Sequence, residues 1–146
     1  MIYTEKTRKA LDMCFRAHKD QTDNAGAPYV FHVFYVADRM ADEATTVTAL
    51  LHDIVKEAGY TFEQVQAAGF GENILEALRL LTYSDENPSE EAYLQYIAAL
   101  KQNPIARAVK IADLEHNCNL NRLGSDIKRT DIMRTAKYQK ALALLK

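Results

Sequence analysis

The stretch Ala49-Leu50-Leu51-His52-Asp53-Ile54-Val55, ALLHDIV, sets an imidazole and a carboxylate side by side inside an apolar run. Val47, Leu50, Leu51, Ile54 and Ala58 recur at helical spacing, so the stretch reads as a core helix from about Glu43 to Ala58. Gly59 stops it. Burying an ionised carboxylate costs roughly several kcal/mol unless it is paired or bound to a cation. The rest of the chain must therefore supply a partner or an ion.

Helical spacing continues on both sides. Leu11, Cys14, Phe15 and His18 mark a first helix over roughly residues 3–20, and the loop 21–28 carries Gly26 and Pro28. A second helix, Tyr29 to about Ala41, places Val33, Val36 and Met40 on one face. Thr61 and Gln64 form a capping-box signature for a short fourth helix to about Ala68. A fifth contains Ile74, Leu75, Leu78 and Leu81; the polar stretch 84–88 is a loop, and Ser89 caps a sixth helix through Leu100. Asn103-Pro104 opens a seventh, to about Leu123, burying Ile105, Val109, Ala112, Leu120 and Leu123. A last helix after Gly124-Ser125 carries Tyr138, Ala141, Leu142 and Leu145. No strand alternation and no repeat interrupts this pattern. The expectation is an all-α fold, a single domain over 1–146 built as a bundle of about eight helices.

At 146 residues, 48% apolar and 26% charged, the chain suits one soluble core. A formal charge of -2 gives no footprint for nucleic acid or an anionic membrane. No apolar run approaches the ~20 residues of a membrane span, and Met1 to Lys6 lack a signal-peptide pattern, so a cytoplasmic location is expected. Cys14 and Cys118 lie far apart among apolar neighbours and read as buried free thiols. The basic segment 121–134 is interrupted by acids and has no interleaved aromatics, which makes a poor nucleic-acid module.

Four polar groups stand in or beside the apolar stripes: His32, His52, Asp53 and Asp113. Any one histidine there reads first as a hydrogen-bonded core residue, and the His-Asp pair is as readily a buried charge pair as a ligand set. Two imidazoles and two carboxylates from three helices together favour a divalent transition ion with open positions.

At these residues the chain resembles a known family. ALLHDIV resembles the motif that names the HD superfamily of metal-dependent phosphohydrolases. AHKDQTDNAGAPYVFH, over 17–32, resembles the opening of the (p)ppGpp hydrolase domain of RelA/SpoT proteins, and VKIADLEHN, over 109–117, resembles a later segment of the same domain. Order and spacing agree over residues 3 to 145. The resemblance implies that His32, His52, Asp53 and Asp113 ligate a metal, usually Mn²⁺ or another divalent transition ion. It also implies removal of the 3′-pyrophosphate of (p)ppGpp by water activated at that metal. Asn117, with Gly26 and Lys110, is expected at the substrate, a small phosphorylated nucleotide. His18 and His116 fit supporting roles. No membrane partner is expected, and a homo-oligomer is compatible with the pattern.

Two departures matter. The family carries Glu-Asp just after HD, where this chain has Lys56-Glu57; Glu57 keeps a carboxylate for water activation, and Lys56 brings a cation. The loop carries Asp23-Asn24-Ala25-Gly26 where basic residues are common, and an acid repels a polyphosphate. The alternatives are a degenerate HD domain that binds metal or nucleotide without turnover, and a structural helical domain with the four groups scattered.

Overall fold

A computed structural model describes residues 1–84 and 89–146. It contains α1 (Glu5–His18), α2 (Val30–Asp38), α3 (Glu43–Leu51), α4 (Ile54–Ala58), α5 (Phe62–Ala67), α6 (Glu72–Leu81), α7 (Glu90–Lys101), α8 (Pro104–Asn117) and α9 (Arg129–Leu145), with a 3₁₀ turn at Leu120–Leu123. The fold is all-α; among the described residues the sole β pairing is an isolated bridge between Thr22 and Pro28. Most of the loop expected over 84–88 lies outside the described residues.

α3 is the hub, packing against α1, α2, α6 and α8. Every residue from Thr45 to Leu51 is buried, including three threonines. Their hydroxyls need partners there, and the backbone supplies them: Thr46 and Thr48 donate to the carbonyls of Asp42 and Ala44, at 2.6 and 2.8 Å. The far side of the molecule is closed by α7, α8 and α9, which pack on one another. Expected helix starts hold where a side chain caps them: Thr61 and Gln64 form the capping box, and Ser89 and Asn103 accept from Ala92 and Ala106.

Three expectations are corrected. The helix over Glu43 to Ala58 is two helices, because the chain turns at His52 and Asp53; Asp53 (φ -109°, ψ 5°) leaves helical geometry before α4 begins. The helix expected to reach Leu123 ends at Asn117, and Leu120 and Leu123 are only half-buried in the 3₁₀ turn that follows. Ile105, expected among the buried residues of that helix, is only half-buried, and Phe15, which shares the helical spacing of Leu11, Cys14 and His18, is 52% exposed. Cys14 is buried, which together with the Asp53 carboxylate pushes its thiol up to about 12, whereas Cys118 is half-buried; both are free. Among the described residues, no helix is long and apolar enough to cross a membrane.

Candidate metal centre and nucleotide cleft

The turn between α3 and α4 delivers His52 and Asp53 to one spot, where α2 brings His32 and α8 brings Asp113. Donor atoms of His32, His52 and Asp53 all lie within 4.8 Å of one another. Asp113 joins them: its Oδ1 is 3.0 Å from His32 Nε2 and 3.7 Å from His52 Nε2. His52 Nε2 also lies 3.0 Å from Asp53 Oδ2. The four groups thus converge from three parts of the bundle, as a shared ion requires.

The hydrogen bonds behind the histidines decide which nitrogen faces inward. His52 Nδ1 lies 2.6 Å from the Ala49 carbonyl, which can only accept, so Nδ1 carries the proton. Nε2 is then the ring's inward donor atom. Although two carboxylates lie within 3.7 Å, Nε2 is aligned for a hydrogen bond with neither and is buried without a partner. His32 repeats the arrangement through its Nδ1, 2.7 Å from His116 Nδ1. Burial and the Arg122 guanidinium push His116 down to about 4, so it is neutral near pH 7 and can accept the His32 proton. Inward lone pairs facing carboxylates are mutually repulsive unless a cation stands between them. A 2-nitrogen, 2-oxygen donor set suits a divalent first-row ion, and the residues present fit one.

Without a metal, protons meet the same electrostatic demand. Burial alone would lower His52, but Asp53 and Asp113 raise it well above the ordinary imidazole value. Burial likewise opposes ionisation of both acids and is overcome. His52 and the Tyr29 hydroxyl bring Asp53 to about 2, and Lys110, His32 and His52 hold Asp113 well below the carboxylate range.

The site lies in a cleft of about 690 Å³. Lys56 and Glu57 both line it, and both are exposed. The Glu57 amide donates to the Asp53 carbonyl at 2.8 Å, so Glu57 stands one helical turn beyond Asp53 despite the break before α4. Lys56 Nζ is 5.4 Å from the Tyr83 ring centroid. Asn117 lines the cleft, and its amide donates to Asp113 Oδ1 at 3.0 Å. Lys110 also lines it, but its ammonium is bound to Asp113 Oδ2 at 2.9 Å, so it holds a candidate ligand in place. Gly26 is exposed in the loop with φ +86°, a conformation that favours glycine, and is not among the residues lining the cleft.

Asp23 is not the bare negative charge that its loop position suggested. Its Oδ1 accepts the Ala25 and Ala27 amides at 2.9 Å each, and its Oδ2 pairs with Arg122 at 3.4 Å. Sequence reading missed several cleft residues. Tyr29 donates to Asp53 Oδ2 at 2.5 Å and lies one turn before His32, a spacing that could have flagged it. Gln21 bridges His18 Nδ1 (2.7 Å) and the Glu57 carbonyl (2.7 Å), tying the end of α1 to α4. Tyr83, Tyr93, Tyr96 and Lys137 also line the cleft and carried no motif.

No family model matches the chain. It is similar to a probable GTP pyrophosphokinase of Mycobacterium leprae, 31% identical over 119 residues, covering 75% of this chain and 15% of that protein. It is similar to the bifunctional (p)ppGpp synthase/hydrolase SpoT of Escherichia coli, 28% identical over 151 residues, covering 95% of this chain and 21% of that protein. A guanosine-3′,5′-bis(diphosphate) 3′-pyrophosphohydrolase of Aquifex aeolicus is 27% identical over 121 residues, with 76% and 17% covered. The chain thus spans only 15–21% of the length of these relatives. A solved metazoan ortholog of SpoT, described as hydrolysing ppGpp, matches with a TM-score of 0.81 at 20% identity, covering 99% of this chain and 87% of that one. Fold and sequence together define an all-α domain of the HD type. More narrowly, it resembles the SpoT proteins, matching one part of the long bacterial sequences and, in fold, most of the metazoan ortholog.

Proposed function

We propose that the chain is a metal-dependent phosphohydrolase that removes the 3′-pyrophosphate of (p)ppGpp, with His32, His52, Asp53 and Asp113 holding Mn²⁺. The observation that carries this reading is the convergence of two inward-facing imidazole nitrogens and two carboxylates in a cleft large enough for a nucleotide. The names of the bacterial relatives and of the metazoan ortholog support the substrate. A divalent ion bound there supplies a Lewis acid that lowers the pKa of water and polarises a phosphoryl oxygen.

The chain's own residues do the rest. Tyr29 and Lys110 orient Asp53 and Asp113 by hydrogen bond and ion pair. Ala49 and His116 fix the two histidines. Glu57, one turn beyond Asp53, takes the proton of the attacking water as its oxygen bonds to phosphorus. The bond from phosphorus to the ribose 3′ oxygen breaks as that oxygen takes up the proton released to Glu57, which restores the carboxylate, and pyrophosphate leaves. Lys56 and Arg134, both lining the cleft, offset phosphate charge. Asn117 meets the nucleotide from the α8 side.

The test is a hydrolysis screen of phosphorylated nucleotides, (p)ppGpp included, with added Mn²⁺. Glu57→Gln is expected to keep the metal and lose about 10²–10⁴-fold in rate. Unchanged activity removes Glu57 from the role. A second reading, metal and nucleotide binding without turnover, is favoured by Lys56, a cation that cannot act as a base while protonated. Nucleotide binding with no hydrolysis by the wild type would select it.

A further inference from the structure

Tyr93 is 6% exposed, and its hydroxyl is buried without a hydrogen-bond partner, although the residue lines the same cleft as the His/Asp cluster. Buried hydroxyls in folded proteins are satisfied as a rule, because an unpaired one forfeits its hydration without compensation. His52 Nε2 is buried without a partner in the same way, at the proposed metal site. At Tyr93 the surroundings ask for the opposite charge. Lys137 Nζ lies 4.6 Å from the Tyr93 ring centroid, Arg134 lines the same cleft, and the Lys110 ammonium is near enough to act on the phenol. The neighbouring Tyr96 hydroxyl donates to the Leu81 carbonyl at 2.8 Å, and no hydrogen bond joins it to Tyr93. Burial is the largest influence on Tyr93 and keeps the phenol protonated, hence a donor.

We propose that the Tyr93 hydroxyl is a substrate-reading group: it donates a hydrogen bond to a phosphoryl oxygen of the bound nucleotide, at the α7–α9 end of the cleft and beside the Lys137 ammonium. The inference rests on the phosphohydrolase reading for the identity of its ligand. It assigns a specificity role to a residue that belongs to no motif of the sequence. A phosphorylated group is selected at this end by geometry as well as charge, since a cation alone attracts any anion and a fixed hydroxyl adds a directed donor.

Tyr93→Phe tests it, because the ring and its packing are kept and one oxygen is removed. Two readouts are needed: the melting temperature of the ligand-free protein, and calorimetric affinity for (p)ppGpp and for inorganic pyrophosphate, each measured with Mn²⁺ present. The expected result is a melting temperature equal to or above that of the wild type, with affinity for both ligands about 10–100-fold weaker. Mn²⁺ affinity should be unchanged. Wild-type affinity in the variant overturns the proposal and leaves the phosphohydrolase reading standing. A lower melting temperature with weaker binding also overturns it, since the hydroxyl would then be a structural group. Failure of the wild type to bind either ligand overturns both readings.

Discussion

Asp53 shows how much a single position carries. Its carboxylate meets His52 at 3.0 Å and Tyr29 at 2.5 Å, and His52 and Tyr29 between them hold it ionised against burial. Asp53→Ala removes a donor and a charge together, so the purified variant should retain no Mn²⁺ by elemental analysis. Lys56→Ala removes an exposed ammonium three residues further on and should retain wild-type metal. Equal metal in the two variants would refute the ligand assignment. At this scale the sequence was informative where chemistry is scarce. An acid or imidazole inside an apolar helix is conspicuous, and His32, His52, Asp53 and Asp113 stood out for that reason. Tyr29 and Tyr93 did not, because a tyrosine in an apolar stripe is ordinary and its hydroxyl's use depends on what faces it. Lys110 was legible as a cation and misleading as a free one, since its partner Asp113 is on the same helix face only three residues away.

Among the elements, α4 is the shortest helix and the one closest to the chemistry. It has five residues, too few to be stable alone, and is held at both ends. The turn at Asp53 starts it, Gln21 takes its Glu57 carbonyl, and Gly59 ends it with φ +75°. A Cβ at Gly59 would meet no atom within 4 Å, so only the backbone conformation resists substitution. Gly59→Ala should therefore cost roughly 1–2 kcal/mol. If α4 has to be held for Glu57 to work, the same variant should also slow turnover while keeping its metal. A denaturant titration alongside a rate measurement checks both. An unchanged midpoint would show that the left-handed turn is not required. The helix pattern announced the core faces well and the break before α4 not at all, because hydrophobic spacing runs on through His52 and Asp53. Periodicity reports which side is buried and is blind to a local turn that keeps the same side inward. The end of α8 was missed for a related reason: Leu120 and Leu123 continue the stripe in a 3₁₀ turn.

For the molecule as a whole, the topology was legible only as a count of helices. Which of them meet is set by long-range packing around α3, and nothing in the local sequence states it. The candidate metal centre lies on that packing, with donors from α2, the α3–α4 turn and α8. Binding to the folded state alone stabilises it by mass action, about 2.7 kcal/mol at 100 times the dissociation constant. Adding Mn²⁺ to chelator-treated protein should then raise the melting temperature by about 5–10 °C. No shift would mean that the cluster binds no ion. The Asp113 donor also has a consequence in time. It sits far along the chain from His32 and Asp53, so if the three ligate one ion, that ion would join them only after α8 has docked on α3. Contacts that form after the rate-limiting step slow escape from the native state without hastening arrival. In stopped-flow experiments Mn²⁺ should lengthen the unfolding lifetime and leave the refolding rate where it was, making the ion a late-closing clasp on a bundle that assembles without it.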